Sequence, residues 1–218
     1  MEFINLHTHS YSNDDSILEV VNQYPWKFDE VIPQYSLGIH PWYIDENRLS
    51  SDLKSIEEKL KLNECLALGE CGLDKRIEIS FPKQAEIFQK QIELVQVTKK
   101  PIILHCVASF QEMISIKKEM HIENPMIIHG FSKNRQVAKS LLDNGFQLSF
   151  GKYLLRNPEL AEVFDYVPND RFFLETDTIE ETIFDVYEKA ATIKNIKIED
   201  LKEGIKVNFN QVFNQFNS

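Results

Sequence analysis

Histidines and carboxylates in this chain stand where short apolar runs stop. Phe3-Ile4-Asn5-Leu6 leads into His7-Thr8-His9, Leu66-Ala67-Leu68-Gly69 into Glu70, and Pro101-Ile102-Ile103-Leu104 into His105. Pro125-Met126-Ile127-Ile128 leads into His129, and Phe172-Phe173-Leu174 into Glu175-Thr176-Asp177. On a strand, residues two apart point the same way, so His7 and His9 can converge on one ion. Imidazole together with carboxylate suits zinc, manganese or magnesium. Each residue alone has a plain alternative. His105 or His129 can be a satisfied strand-end histidine, Glu70 a salt-bridged carboxylate, and Asp177 the cap of a helix starting near Ile179. Repeated at the end of run after run, the pattern implies a metalloenzyme.

The elements that must position these groups follow from the same runs. Apolar stretches of this length read as strands buried on both faces of a parallel sheet. They fall at residues 3–7, 17–23, 35–39, 65–69, 102–105, 126–129, 146–150 and 172–174. Helical periods or boundary signals fall at 50–62, 81–98, 109–120, 134–144, 157–164, 180–194 and 198–216. Strands alternating with helices imply an α/β fold with its chemistry at the carboxyl ends of the strands. Residues 10–16 are too few for a parallel crossover, which needs about a dozen. Residues 24–34 hold Pro25 and Pro33 and show no helical period. The expectation is an abbreviated (β/α)8-type barrel with its early crossover helices missing, forming one domain over residues 1–218.

Composition bounds the partners. The 218 residues are 43% hydrophobic with a net charge of −10, which argues against an adhesive surface for long nucleic acid. Small phosphoesters or DNA ends remain open, because bound dications would offset charge at the site itself. No apolar run reaches the roughly 18 residues of a membrane span, and Met1-Glu2-Phe3-Ile4 has no basic leader; a cytoplasmic protein is expected. Cys65, Cys71 and Cys106 form no CxxC pair and read as reduced thiols. Alternation turns Cys71 and Cys106 away from Glu70 and His105, towards packing. His40, fixed in its turn by Pro41, is either structural or a substrate contact, and His121 reads as inert.

Taken together, Asn5-Leu6-His7-Thr8-His9, Gly38-Ile39-His40-Pro41, Gly69-Glu70-Cys71-Gly72-Leu73-Asp74, Ile103-Leu104-His105, Ile128-His129-Gly130-Phe131-Ser132 and Leu174-Glu175-Thr176-Asp177 resemble the TatD family of metal-dependent hydrolases. These belong to the amidohydrolase-type barrels. A Gln-rich helix over 83–94 and the tail Val207-Asn208-Phe209-Asn210-Gln211-Val212-Phe213 resemble the family as well. The resemblance implies two divalent ions per chain (Zn, Mn or Mg). His7, His9, Glu70 and Asp177 would hold one, and Glu70, His105 and His129 the other, with Glu70 bridging and a hydroxide between the ions as nucleophile. Glu70 and Asp177 would be the catalytic carboxylates, Asp177 taking a proton from the water. Glu175, His40, Lys133 and Lys152 are candidate substrate contacts.

The chain departs from the family where specificity is set. Asn5 stands where Asp is usual, Cys106-Val107-Ala108 replaces an Arg after His105, and the loop after Asp177 is cut short, with a helix expected almost at once. Lys75, Arg76, Lys133, Arg135, Lys152 and Arg156 are candidates for a phosphate clamp, each equally readable as surface charge. The implied activity is that of a phosphodiesterase or deoxyribonuclease. Alternatives are hydrolysis of an amide, lactone or other ester, and a metal-binding scaffold without turnover.

Overall fold

The computed structural model describes residues 2–213. Strands β1 (Phe3–Thr8), β2 (Ile17–Gln23), β3 (Tyr35–Leu37), β4 (Cys65–Asp74), β5 (Ile102–Val107), β6 (Met126–Ile128), β7 (Phe146–Phe150) and β8 (Phe172–Leu174) neighbour one another in that order in one eight-stranded sheet. A parallel bridge from Thr8 to Asp177 sets the chain after β8 beside β1. Strands in sequence order with the last bridged to the first give the topology of a (β/α)8 barrel, as expected. Leu37, Leu68, Leu104, Ile127, Leu148 and Phe173 are wholly buried, as runs covered on both faces require. Residues 9–16 contain no helix, and only a 3-10 turn, Pro25–Lys27, separates β2 from β3. The early crossovers are abbreviated.

The chain packs as two compact units, Met1–Val21 with Ile128–Ser218, and Asn22–Ile127. In the second unit, helices α1 (Leu49–Lys59), α2 (Phe81–Gln96) and α3 (Phe110–Glu119) accompany β3, β4 and β5. Strand β4 runs on to Asp74 rather than stopping at the apolar run, because its ladder with β5 continues through Gly72↔His105 to Asp74↔Val107. Gly72 has φ of 139°, and a Cβ there would lie 2.1 Å from the His105 carbonyl oxygen. Only glycine permits that approach. Glu70 and His105 therefore sit inside strands, not at their ends. The glutamines of α2 turn out to be backbone clips. Gln84 accepts from Asp74 N–H and donates to Asp74 O, while Gln91 accepts from Ile39 N–H and donates to Ile39 O. Each satisfies buried main-chain groups at a strand end that would otherwise cost about 1–3 kcal/mol apiece.

In the first unit, β1, β7 and β8 carry α4 (Arg135–Asp143), α5 (Lys152–Arg156), α6 (Leu160–Tyr166), α7 (Ile183–Lys194) and α8 (Ile198–Phe213). The helix expected over 157–164 is displaced: α5 ends before Asn157, which is extended ahead of Pro158, and α6 follows. The helix expected from 180 starts at Ile183, because Thr182 and Asp185 form a reciprocal cap. Residues 178–182 thus separate Asp177 from α7, whose cap is Thr182. The expected end of the last helix at 214–216 lies outside the described residues. Side-chain clips recur here. Asn5 accepts from Thr176 N–H and donates to Thr176 Oγ1. The Tyr187 hydroxyl serves both Ile4 N–H and Ile4 O, and Asn208 donates to Asn169 O and Phe172 O. No helix among the described residues is long and apolar enough to cross a membrane.

Candidate metal centre

In the first unit, Asp177 N–H donates to His7 O at 2.9 Å and His9 N–H to Asp177 O at 3.1 Å. That bridge carries the Asp177 carboxylate to the β1 histidines: Oδ1 lies 3.9 Å from His7 Nε2 and 3.5 Å from His9 Nε2. Asp177 has φ of 56°, a left-handed conformation that aspartate tolerates and that flanking bonds here enforce. The His129 ring centre is 4.4 Å from that of His7, and ligand atoms of His7, His129 and Asp177 all lie within 4.8 Å of one another. Behind His129 is Glu175, wholly buried, with Oε1 3.4 Å from His129 Nδ1 and accepting from Gly130 N–H at 2.7 Å. A carboxylate behind one ring nitrogen leaves Nε2 for an ion. Burial keeps Glu175 from meeting substrate, so it orients His129 instead.

In the second unit, β4 presents Glu70 and Asp74 on either side of Gly72, opposite His105. His105 Nδ1 is 2.9 Å from Glu70 Oε1, and its Nε2 is 3.3 Å from Asp74 Oδ2. An imidazole between two carboxylates needs a proton at both nitrogens, or a proton at one and a cation at the other. A divalent ion fits that demand. Burial pushes the Asp74 carboxyl up, but bonds from Trp42 Nε1, Arg76 N–H and His105 outweigh it and hold the group below the ordinary carboxylate range. His40 completes a triad with Glu70 and His105 whose ligand atoms also lie within 4.8 Å of one another. Its Nδ1 accepts from Trp42 N–H at 3.1 Å, so in the neutral ring the proton sits on Nε2, 3.2 Å from Glu70 Oε1. By that bond pattern His40 aims Glu70 rather than binding an ion, and at 4% exposure it has little surface for substrate. Glu70 N–H donates to Asn22 Oδ1 at 2.6 Å.

Both sets therefore fit a metal ion by donor chemistry. The model of the family "TatD related DNase" matches residues 2–214. An uncharacterised metal-dependent hydrolase of Buchnera aphidicola is 32% identical over 147 residues, 66% of this chain and 55% of that one. A 3'-5' ssDNA/RNA exonuclease TatD of Erwinia tasmaniensis is 31% identical over 147 residues, 64% of this chain and 56% of that one. Among solved structures, the TatD homologue YJJV of Escherichia coli K12 superposes with a TM-score of 0.83 at 18% identity, over 97% of this chain and 98% of that one, which speaks for the fold. The chain belongs to the TatD-related DNase family. It spans a little over half the length of those two curated relatives.

Within that family frame, the clamp candidates separate. Lys75 pairs with Glu112, Arg135 lies over the Tyr166 ring at 4.0 Å, and Arg156 grips both carboxylate oxygens of Glu181 at 2.8 Å. Lys152 is the one aimed at the ligands, donating to Asp177 Oδ2 at 3.1 Å. Burial lowers its pKa, yet the Asp177 charge and bond more than restore it, leaving it raised. Lys133 is half-buried on the turn before α4. Beside His9 and Asp177 the abbreviated crossover leaves a cavity of about 420 Å³, walled in part by Ser12, Asp14, Glu19 and Thr182. Cys71 and Cys106 are buried, as alternation requires. The reading of the sequence alone missed Asp74, Asn22 and Trp42. The spacing Glu70-x-Gly72-x-Asp74 on one strand face was the available signal for Asp74; Asn22 and Trp42 had none.

Proposed function

We propose that this chain is a metal-dependent phosphodiesterase that uses two divalent cations on DNA ends or small phosphoesters, the whole chain acting as one catalytic domain. The observation that carries the reading is the repeated pairing of a ligand-grade histidine with a buried carboxylate behind it, His129 with Glu175 and His105 with Asp74. Such pairs fix ring orientation and raise ligand basicity, as metal-ligating histidines require. The family's DNase description and a relative's exonuclease name support phosphorus as the target. By the family resemblance, His7, His9, Glu70 and Asp177 serve one ion and Glu70, His105 and His129 the other. Ions held so supply acidified water and neutralise charge on the phosphoryl oxygens. Asp177 accepts the water's proton, and Lys152 steadies its carboxylate. His40 and Asp74 keep Glu70 and His105 aimed.

The test is elemental analysis with a substrate panel. Purified protein should carry about two divalent ions per chain, and chelation should abolish phosphodiester turnover until metal is returned. Turnover that survives stripping, or a panel in which lactones and amides react while phosphodiesters do not, would refute the reading.

A further inference from the structure

We infer that Trp42 and Tyr43 form a stacking shelf for an unpaired nucleobase, placed beside the Glu70–His105 ligands. This rests on the phosphodiester reading and names what flanks the scissile bond. The two rings are 53% and 43% exposed, the most open aromatic side chains among the described residues. They are not loose. Trp42 is pinned by Nε1 donating to Asp74 Oδ2 at 2.8 Å, and its ring centre lies 5.7 Å from His105 and 5.2 Å from His40. Tyr43 is buttressed edge-on by Tyr24 at 5.3 Å and Trp26 at 5.9 Å, with His40 at 5.5 Å. Trp26, 37% exposed, is occupied by the stacked Tyr24 ring at 5.0 Å and the Arg48 guanidinium at 3.8 Å. Arg48 bonds Asp45 and Asp52, so its charge is spent locally. The shelf thus offers fixed π-faces rather than a basic groove. That matches an unpaired base, which stacks irrespective of its identity. A duplex keeps its bases covered, and a net charge of −10 gives the chain little general attraction for one. Countercharge for the phosphate would come from the ions, and grip on the neighbouring nucleoside from the shelf.

Trp26 and Trp42 are the chain's two tryptophans, so fluorescence excited selectively at tryptophan reports this region alone. Metal-loaded protein is titrated with adenosine, with deoxyribose as the baseless control. Adenosine should quench, deoxyribose should not, and the quench should vanish in Trp42→Phe but persist in Trp26→Phe. In kinetics, Tyr43→Ala should raise KM for a base-bearing dinucleotide about tenfold, leaving KM for its abasic counterpart unchanged, while Trp42→Ala, which also removes the bond to Asp74, should raise the first more than the second. Quenching that survives Trp42→Phe, or equal KM changes for both substrates, overturns the shelf. Loss of turnover on both phosphodiesters by the parent protein instead defeats the underlying reading.

Discussion

The two units solve the same problem of holding a carboxylate among histidines in different ways. In the Asn22–Ile127 unit, Glu70 lies within a ten-residue strand and is buried, steadied by His40, His105 and the Asn22 amide. In the other unit, Asp177 follows a three-residue strand, hangs on a single bridge to β1, and has its charge met by the Lys152 ammonium. One carboxylate is built into a ladder, and the other is tethered and carries an internal cation. A ladder residue is suited to holding ions in place. A tethered, partly exposed aspartate is suited to exchanging a proton with water. On the proposed reading, ligation would fall chiefly to Glu70 and proton transfer chiefly to Asp177.

Removing each carboxylate should separate those roles. Asp177→Asn keeps an amino acid that tolerates the left-handed backbone, so the fold should stand while kcat falls by about 10²–10⁴. Glu70→Gln should fall as far but lose bound metal too, read by elemental analysis. If Asp177→Asn instead empties the protein of metal with no further loss once metal is saturating, the division of labour is wrong. Next in size come the buried partners. Asp74→Asn and Glu175→Gln should each weaken metal affinity or activity by about 10–100-fold, measured by titration with a chelating indicator. Lys152→Met should be milder, raising KM for an anionic ester several-fold, since a partly exposed contact contributes about 0.5–1.5 kcal/mol.

How much of this was legible in the residues divides along the same line. Apolar runs report themselves, so every strand and the barrel order were readable, and the histidines and carboxylates at their ends stood out by type. What stayed hidden was set by neighbours in space. Strand β4 outruns its apolar stretch because β5 keeps pairing with it. The helix read from 157 begins only at Leu160, because Asn157 is extended ahead of Pro158, and the short helix α5 before it went unread. The Gln-rich stretch of α2 resembled the family, but its spacing did not say that Gln91 and Gln84 bond the main chain of Ile39 and Asp74, 52 and 10 positions away. Lys152 and Arg156 share one short helix, and nothing in the sequence said that the first reaches Asp177 while the second is taken by Glu181.

The smallest effect concerns the clips, and it asks whether the two units open separately. Cys65, Cys71 and Cys106 all lie in the Asn22–Ile127 unit and are buried. Burial pushes the Cys65 and Cys106 thiols up to about 12, from an ordinary 9.0, and Cys71 well above its ordinary value. A raised acid favours the folded state below the unfolded pKa, so this stabilisation is full at neutral pH and is lost as pH climbs from about 9 towards 12. At pH 8 the native thiols should therefore resist alkylation, and labelling measures opening. Gln91→Ala and Asn5→Ala each delete a two-bond clip, and each should cost about 1–3 kcal/mol. Gln91→Ala should speed labelling by about tenfold or more, because its clip lies in the unit that holds the thiols. Asn5→Ala should lower the melting temperature while leaving labelling nearly unchanged. Equal acceleration in both variants would mean that the molecule opens as a whole, and the contrast between a built-in and a tethered carboxylate would then describe placement only, not local stability.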